Sequence, residues 1–455
     1  MKSTQGFPPS RKTLLAGIAL GAVVSLTACS GGNTGTLGSG QTGSTKNVPI
    51  TVIAAQGPWY PAFAAVAEEY QRETGNKVTM LPTPNNEIKS KEVNDVQSGQ
   101  HAYDIYTINE TDMSQFMSNN WVQPFDSIDS AYKLDSNIFT YNDLPSWNAS
   151  KKLFDKDGKI TSVPINGNVQ ILMYRKDIYK DLGLSTPKSW DDIVSNGQKA
   201  MASGSIKHGG AFRLQPGTGG TPAISYDFEA IMAGEGATWF AKEGTDWTPT
   251  VDSPQGIKAA TVLRELAKLG PSATTTMGQA QAIALMQSGD AAQAYLVTAA
   301  APQLESASNS NVGGKMGYAQ LPVGPDGAST ASGIWSLGIP ASLPTDRAKS
   351  ALDFIKWVTS QKAQTLFAEK GGVPIRPDYD TSKLSATTKE FLTATADAAK
   401  NATGQFRYPF APDMMTITEP ILGNIAAGTV SPSDGMKQMQ QQLTALIKKE
   451  SLPMR

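Results

Sequence analysis

The run 163–194 constrains this chain more than any other: Val-Pro-Ile-Asn-Gly-Asn-Val-Gln-Ile-Leu-Met-Tyr-Arg-Lys-Asp-Ile-Tyr-Lys-Asp-Leu-Gly-Leu-Ser-Thr-Pro-Lys-Ser-Trp-Asp-Asp-Ile-Val. Pro164 and Gly167 punctuate an extended entry, and the apolar, β-branched stretch 169–174 has the length of a strand. Charge and amphipathy follow over 175–182, and Gly183 suits the left-handed residue that closes a helix, because it has no Cβ to clash. Beyond Pro187, Ser189 can cap a new helix whose positive end meets Asp191 and Asp192. A strand, a short helix, a fixed link and a second helix in so short a space mark the opening of a second α/β lobe.

Upstream, 50–55 reads as a buried strand, 61–72 as a helix with Phe63, Val66, Ala67 and Tyr70 on one face, and 77–81 as the next strand. This β-α-β unit predicts parallel pairing, with ligands beyond the carboxyl ends of the strands. Gln56, Trp59 and Tyr60 lie at the first such end, where an aromatic face can stack on a sugar ring or simply pack under the helix. After a helix over 87–97, the strand 103–108 delivers Asn109 and Glu110, groups that can fix hydroxyls or cap the following helix. Asp155-Lys-Asp-Gly-Lys159 opens like a calcium loop, but Lys159 and Asn166 stand where ligands are required, so a hairpin turn is expected and no metal site.

The N-terminus supplies an address. Lys2, Arg11 and Lys12 precede an apolar run, 13–26, too short for a durable span, ending in Leu26-Thr-Ala-Cys29. That tetrapeptide resembles a bacterial lipobox; the other reading is an ordinary signal peptide with a chance cysteine. Cys29 is the only cysteine, so it has no internal disulfide partner. The Gly/Ser/Thr/Asn-rich tract that follows cannot bury enough apolar area to order itself and reads as a tether. The expected division is a signal peptide over 1–28, a lipidated Cys29 and tether over 29–47, a first lobe over 48–165 and 337–372, and a second over 166–336 and 373–455.

The pattern Met173-Tyr-Arg-Lys-Asp177, Leu182-Gly-Leu184 and Pro187-Lys-Ser-Trp-Asp-Asp-Ile193 resembles the hinge-crossing segment of the family 1 extracellular solute-binding proteins, ligand receptors for ABC importers, mainly of sugars. Further signatures fall in order: Gly234-Glu-Gly-Ala-Thr-Trp239, Gly289-Asp-Ala-Ala292, a second crossing over 332–339, a third over 371–377, and paired tail helices around 428–431. The resemblance covers about 50–452. It implies an α/β, two-lobed periplasmic-binding-protein-like fold of type II, each lobe a sheet flanked by helices, joined by several hinge crossings.

It also implies a small carbohydrate captured between the lobes and delivered to the permease subunits of an ABC transporter. The protein would be a monomer on the outer face of the cell membrane, touching it only through its lipid. Asn166 and Asn168 in the hinge segment, Gln215 and Thr221 in a Gly/Thr-rich loop, and Thr298 beyond a strand join the candidate ligand contacts. So do Trp335, which can stack or pack, Arg376, which can fork a ligand or bridge the lobes, and Tyr408 and Phe410 before the tail helices. Thr298-Ala-Ala-Ala301 stands where the family often has an aromatic platform, which argues against a large oligosaccharide.

Other classes find little support. Charged residues are 17% with a net charge of −1, so a basic nucleic-acid face is not expected. His101 and His208 are the only histidines, neither in a motif, and no nucleophile elbow or zinc pair occurs, so no catalytic residue or cofactor is expected. By residue type alone, Glu110 with Asp413 would be the pair available to a glycosidase. A non-sugar polar solute is the alternative ligand.

Overall fold

Eight strands carry the two larger sheets: β1 Ile50–Ala55, β2 Val78–Thr83, β3 Ile105–Asn109, β4 Val163–Asn166, β5 Gln170–Arg175, β6 Gln293–Val297, β7 Met316–Ala319 and β8 Trp335–Gly338. They come from a computed structural model describing residues 48–455 except 219–221 and 405, so the signal peptide, Cys29, the tether and Thr221 lie outside the described residues.

The first sheet has the order β2-β1-β3-β8-β4. β1 runs parallel to β2 and to β3, as the β-α-β reading requires. Proline lacks the N–H that a central strand must donate, and Pro82 and Pro164 accordingly sit on β2 and β4, the sheet's two edges. β8 inserts antiparallel between β3 and β4, placing Trp335 opposite Asn109 on one side and Asn166 on the other.

The second sheet, β6-β5-β7, is antiparallel and has β5 at its centre. Only Gly167, Asn168 and Val169 separate β4 from β5, so the chain passes between sheets in three residues. A side chain at Gly167 has no room: an added Cβ would lie 2.4 Å from the Pro374 carbonyl oxygen and 2.7 Å from the Tyr141 hydroxyl. The 371–377 segment thus packs directly on this passage, and the Gly167 N–H donates to Val373 O at 2.8 Å.

Helices α1 Tyr60–Thr74, α2 Asn85–Ser98, α3 Glu110–Ser118, α4 Lys176–Asp181, α5 Trp190–Ala202 and α6 Ile224–Glu235 follow the expected order. Gly183 takes φ 63° after α4, and Leu184 N–H reaches back to Tyr179 O at 2.7 Å. Ser189 caps α5 through a box with Asp192, and Trp190 is buried, so that motif is a packing element. Helices Thr345–Val358 and Gln361–Glu369 return to the first sheet, where Phe354 meets Phe63 at 6.3 Å and Tyr70 at 5.0 Å.

Three local features differ from what the nearby sequence suggests. The stretch 209–214, Gly-Gly-Ala-Phe-Arg-Leu, has a composition that suggests a strand but belongs to no sheet, because its N–H groups go to separate acceptors: Gly210 to Leu269 O, Ala211 to Gln293 O, Leu214 to Met277 O. The Asp155–Gly158 turn does not close a hairpin; the strands it joins, Leu153–Phe154 and Lys159–Ile160, lie on opposite sides of Ser146–Asn148. Gly158 is needed there because a Cβ would meet the Trp147 backbone at 2.5 Å. Helix Ala386–Lys400, polar at its start and Ala/Thr-rich, was not anticipated. Among the described residues, no helix is long and apolar enough to cross a membrane.

Candidate functional site

The carboxyl ends of β1, β3 and β4 share one edge of the first sheet, and β8 begins there. The hinge passage leaves from this edge. Asn109 side-chain oxygen accepts from the Thr111 N–H at 3.1 Å and caps α3, so its cap role is real while its side chain stays half-exposed. Gly333 N–H donates to Asn168 O at 2.8 Å, and Asn168 Oδ1 accepts from Ala299 N–H at 3.2 Å. Thr298 N–H and hydroxyl both bind Val169 O. The ends of β3, β4 and β6 and the start of β8 are thereby drawn to one place.

α6 contributes from the second sheet's side. Tyr226 packs with Val297 and Ala331, and a Cβ on Gly333 would lie 2.8 Å from its hydroxyl. Arg213 lies 4.7 Å over the Tyr226 ring and grips Asp227 through Nε at 3.0 Å and Nη2 at 2.6 Å. Asp227 also accepts from Gln170 Nε2 at 2.5 Å. Burial pushes the Asp227 carboxyl up to about 6, against the pull of Arg213. Among the buried polar groups without a protein partner in this neighbourhood are both ends of the Asn166 amide, the Tyr226 and Tyr141 hydroxyls, Gln170 Oε1 and Ser336 Oγ. Such groups are costly unless something satisfies them.

The other sequence candidates divide. Gln56 and Gln215 are exposed and Tyr60 half-buried at the rim, so these are brought to accessible positions. Trp59 and Trp335 are 4% and 9% exposed and meet each other at 6.2 Å, so most of their faces are spent on packing. Glu110 is fully buried: its carboxylate accepts from the Ser332 hydroxyl, Ile334 N–H and Arg407 Nε. Arg376 is held by Asp378, Asp135 and Thr359 O. Tyr408 and Phe410 stack at 5.2 Å inside the second apolar cluster against Trp247 and Phe240. The structure does not bring these last three to the cluster around Asn166.

Arg407, Arg213, Asp227, Tyr226 and Gln170 were missed. Arg407 stands alone within Phe406-Arg-Tyr-Pro-Phe410, and a lone cation in an aromatic run is a readable sign of a buried ion pair. The Arg213–Asp227 pair spans a loop and a helix, and no local spacing encodes it.

A separate cavity of about 250 Å³ lies beside Arg407, walled by Glu229, Trp239, Glu243, Thr403 and Tyr408 among others. Glu229 accepts from Trp239 Nε1 at 2.5 Å, and burial pushes its carboxyl up to about 8. Among the described residues no cluster of three or more His, Cys, Asp or Glu is placed to hold a metal ion.

The family model for bacterial extracellular solute-binding proteins matches residues 54–365. A probable amino-acid ABC transporter periplasmic-binding protein of Sinorhizobium fredii is 24% identical over 333 residues, 72% of each chain. A mannitol-binding protein of Pseudomonas aeruginosa is 26% identical over 315 residues, 68% of this chain and 67% of its own. Among solved structures, the ribitol complex of an ABC transporter solute-binding protein from Agrobacterium radiobacter K84 superposes with a TM-score of 0.70 at 22% identity, covering 88% of this chain and 99% of that one. A maltose-bound protein of T. maritima gives the same TM-score and coverage at 21% identity. The fold is therefore the two-lobed α/β arrangement of type II binding proteins, and the chain belongs to the bacterial extracellular solute-binding protein family.

Proposed function

We propose that this protein captures a small carbohydrate between its lobes, closes about its hinge and delivers the solute to an ABC import permease, without acting on it chemically. The lobes of this reading are 48–165 with 337–372 and 166–336 with 373–455. Cys29 carries the lipid, 30–47 is the tether, and a monomer stands at the outer face of the membrane.

The observation that carries the reading is the junction at Trp335. Asn109 from β3 and Asn166 from β4 flank it in register, and three residues later the chain enters the second sheet. A solute bound there touches groups on both sides of the hinge, and only such differential contact can bias an open–closed equilibrium. Asn109, Asn166, Asn168, Gln215, Thr221 and Thr298 are the contacts we assign, with Gln56, Tyr60 and Trp335 at the rim. Amides and hydroxyls are the donors and acceptors that match sugar hydroxyls. A relative named for mannitol, and structures holding ribitol and maltose, favour the same class.

A thermal-shift screen over pentitols, hexitols, monosaccharides and maltodextrins tests this, because a ligand that binds only the folded state raises Tm. At least one saccharide should do so. A panel in which every saccharide is silent while another polar solute shifts Tm would transfer the site to the non-sugar alternative.

A further inference from the structure

We infer that the solute is uncharged, and that the Arg213–Asp227 pair is what keeps charged solutes out. This rests on the carbohydrate reading above and narrows it, since sugar phosphates, sugar acids and amino sugars belong to the same broad class.

The inference comes from where each charge near the junction is spent. Arg213 commits Nε and Nη2 to Asp227 and Nη1 to Gln279 Oε1 at 3.3 Å. Arg407 commits Nε to Glu110 at 2.7 Å and its two Nη groups to the carbonyls of Asn142 and Tyr141. Asp112, in the first turn of α3, is answered by Lys89 at 2.6 Å. These charges cancel pairwise, and the buried Glu419 carboxylate near Asp227 is held by the N–H groups of Gly217, Ala223, Ile224 and Ser225.

A phosphate or carboxylate leaving water needs a cation with donors to spare, ideally a guanidinium fork. Neither guanidinium offers one here, and burying an unanswered charge costs far more than burying a hydroxyl. A cationic solute meets the converse problem, because the buried carboxylates are already answered, Glu110 and Asp227 by an arginine and Glu419 by backbone N–H groups. What stands uncommitted is neutral and matched to hydroxyls: the Asn166 amide and the Tyr226 hydroxyl. Asp227 follows Tyr226 in sequence and holds Arg213, which itself lies over the Tyr226 ring. Removing its charge would turn Arg213 into the free cation that the site lacks.

Calorimetry on the wild-type protein decides the charge claim. The probes are mannitol, ribitol and maltose against glycerol 3-phosphate, gluconate and glucosamine. Binding should be confined to the neutral series. A charged member binding more tightly than every neutral one overturns the inference and leaves solute capture standing. Silence from both series instead overturns the carbohydrate reading beneath it.

Two variants test the pair itself, with circular dichroism confirming the fold. Asp227→Asn should raise affinity for gluconate relative to its neutral counterpart glucitol by tenfold or more. Arg213→Gln should move the balance the other way, towards glucosamine. A folded variant of either kind whose preference is unchanged overturns the role given to the pair. The wild-type series stands whether or not either variant folds.

Discussion

Arg407 Nε donates to Glu110 at 2.7 Å across 297 residues of sequence. Both side chains are buried, at 7% and 0% exposure, and the same guanidinium holds the carbonyls of Tyr141 and Asn142. One arginine thus ties the loop before the tail helices to the end of β3 and to the segment leading into β4. Breaking a buried pair from one side strands the other charge, which typically costs about 3–5 kcal/mol. Arg407→Met should lower stability by that order in urea denaturation. Arg407→Met with Glu110→Gln should recover part of the loss, because no charge is then left unanswered.

Glu229 makes stability depend on pH with a definite sign. Its folded carboxyl is pushed up to about 8 from an ordinary 4.5 by burial. The folded protein therefore keeps a proton that the unfolded chain has released, so stability falls as pH rises from 4.5 towards 8. Asp227, raised from 3.8 to about 6, adds to the same trend at lower pH. Tm should be highest on the mildly acidic side and decline towards pH 9. Glu229→Gln keeps the acceptor for Trp239 Nε1 and removes the titration, so it should flatten the decline by roughly a few kcal/mol. A slope identical to wild type would remove Glu229 as its cause.

Asn166 separates binding from folding. Neither end of its amide has a protein partner, so Asn166→Ala forfeits no internal hydrogen bond. Its unfolding free energy should stay within about 1 kcal/mol of wild type. A lost sugar contact of about 1.4 kcal/mol is a tenfold fall in affinity, and isothermal titration against the saccharide found by screening would read it. Lost stability with unchanged affinity would make Asn166 a structural residue only.

Gly167→Ala should damage both properties. Its new methyl would press on Pro374 O and the Tyr141 hydroxyl, and such overpacking costs typically about 1–3 kcal/mol. Because the strain falls on the passage between sheets, affinity should drop as well as Tm. A neutral outcome in both would mean that the 371–377 segment yields freely.

Cys29→Ser tests the anchor. An acyl anchor holds a protein to membrane through buried methylenes, so fractionation of expressing cells should move the variant from the membrane to the medium or the soluble extract. An unchanged membrane share would exclude Cys29 lipidation as the attachment.

Much of the fold was readable because local chemistry decided it. The Ser189–Asp192 capping box, the parallel β1–β2 pair and the edge prolines each follow from residues near one another. The stretch 209–214 shows the limit: it has strand composition, yet distant partners divide its hydrogen bonds. The proposed site draws on rim residues and hinge asparagines at positions that motifs mark. It was illegible in its charges. Whether Arg376, Tyr408 and Phe410 meet solute or core is decided by Asp135, Asp378 and Trp247, residues that no spacing links to them. Arg213 and Asp227 were invisible for the same reason.

The most direct measurement is a crystal structure with the saccharide that gives the largest thermal shift. It should lie between the lobes, with its hydroxyls on Asn109, Asn166 and Asn168 from one side and on Gln215, Thr221 or Thr298 from the other. A saccharide lodged in the Glu229–Tyr408 cavity, or on an outer surface with the Asn166 amide still unsatisfied, would contradict this placement.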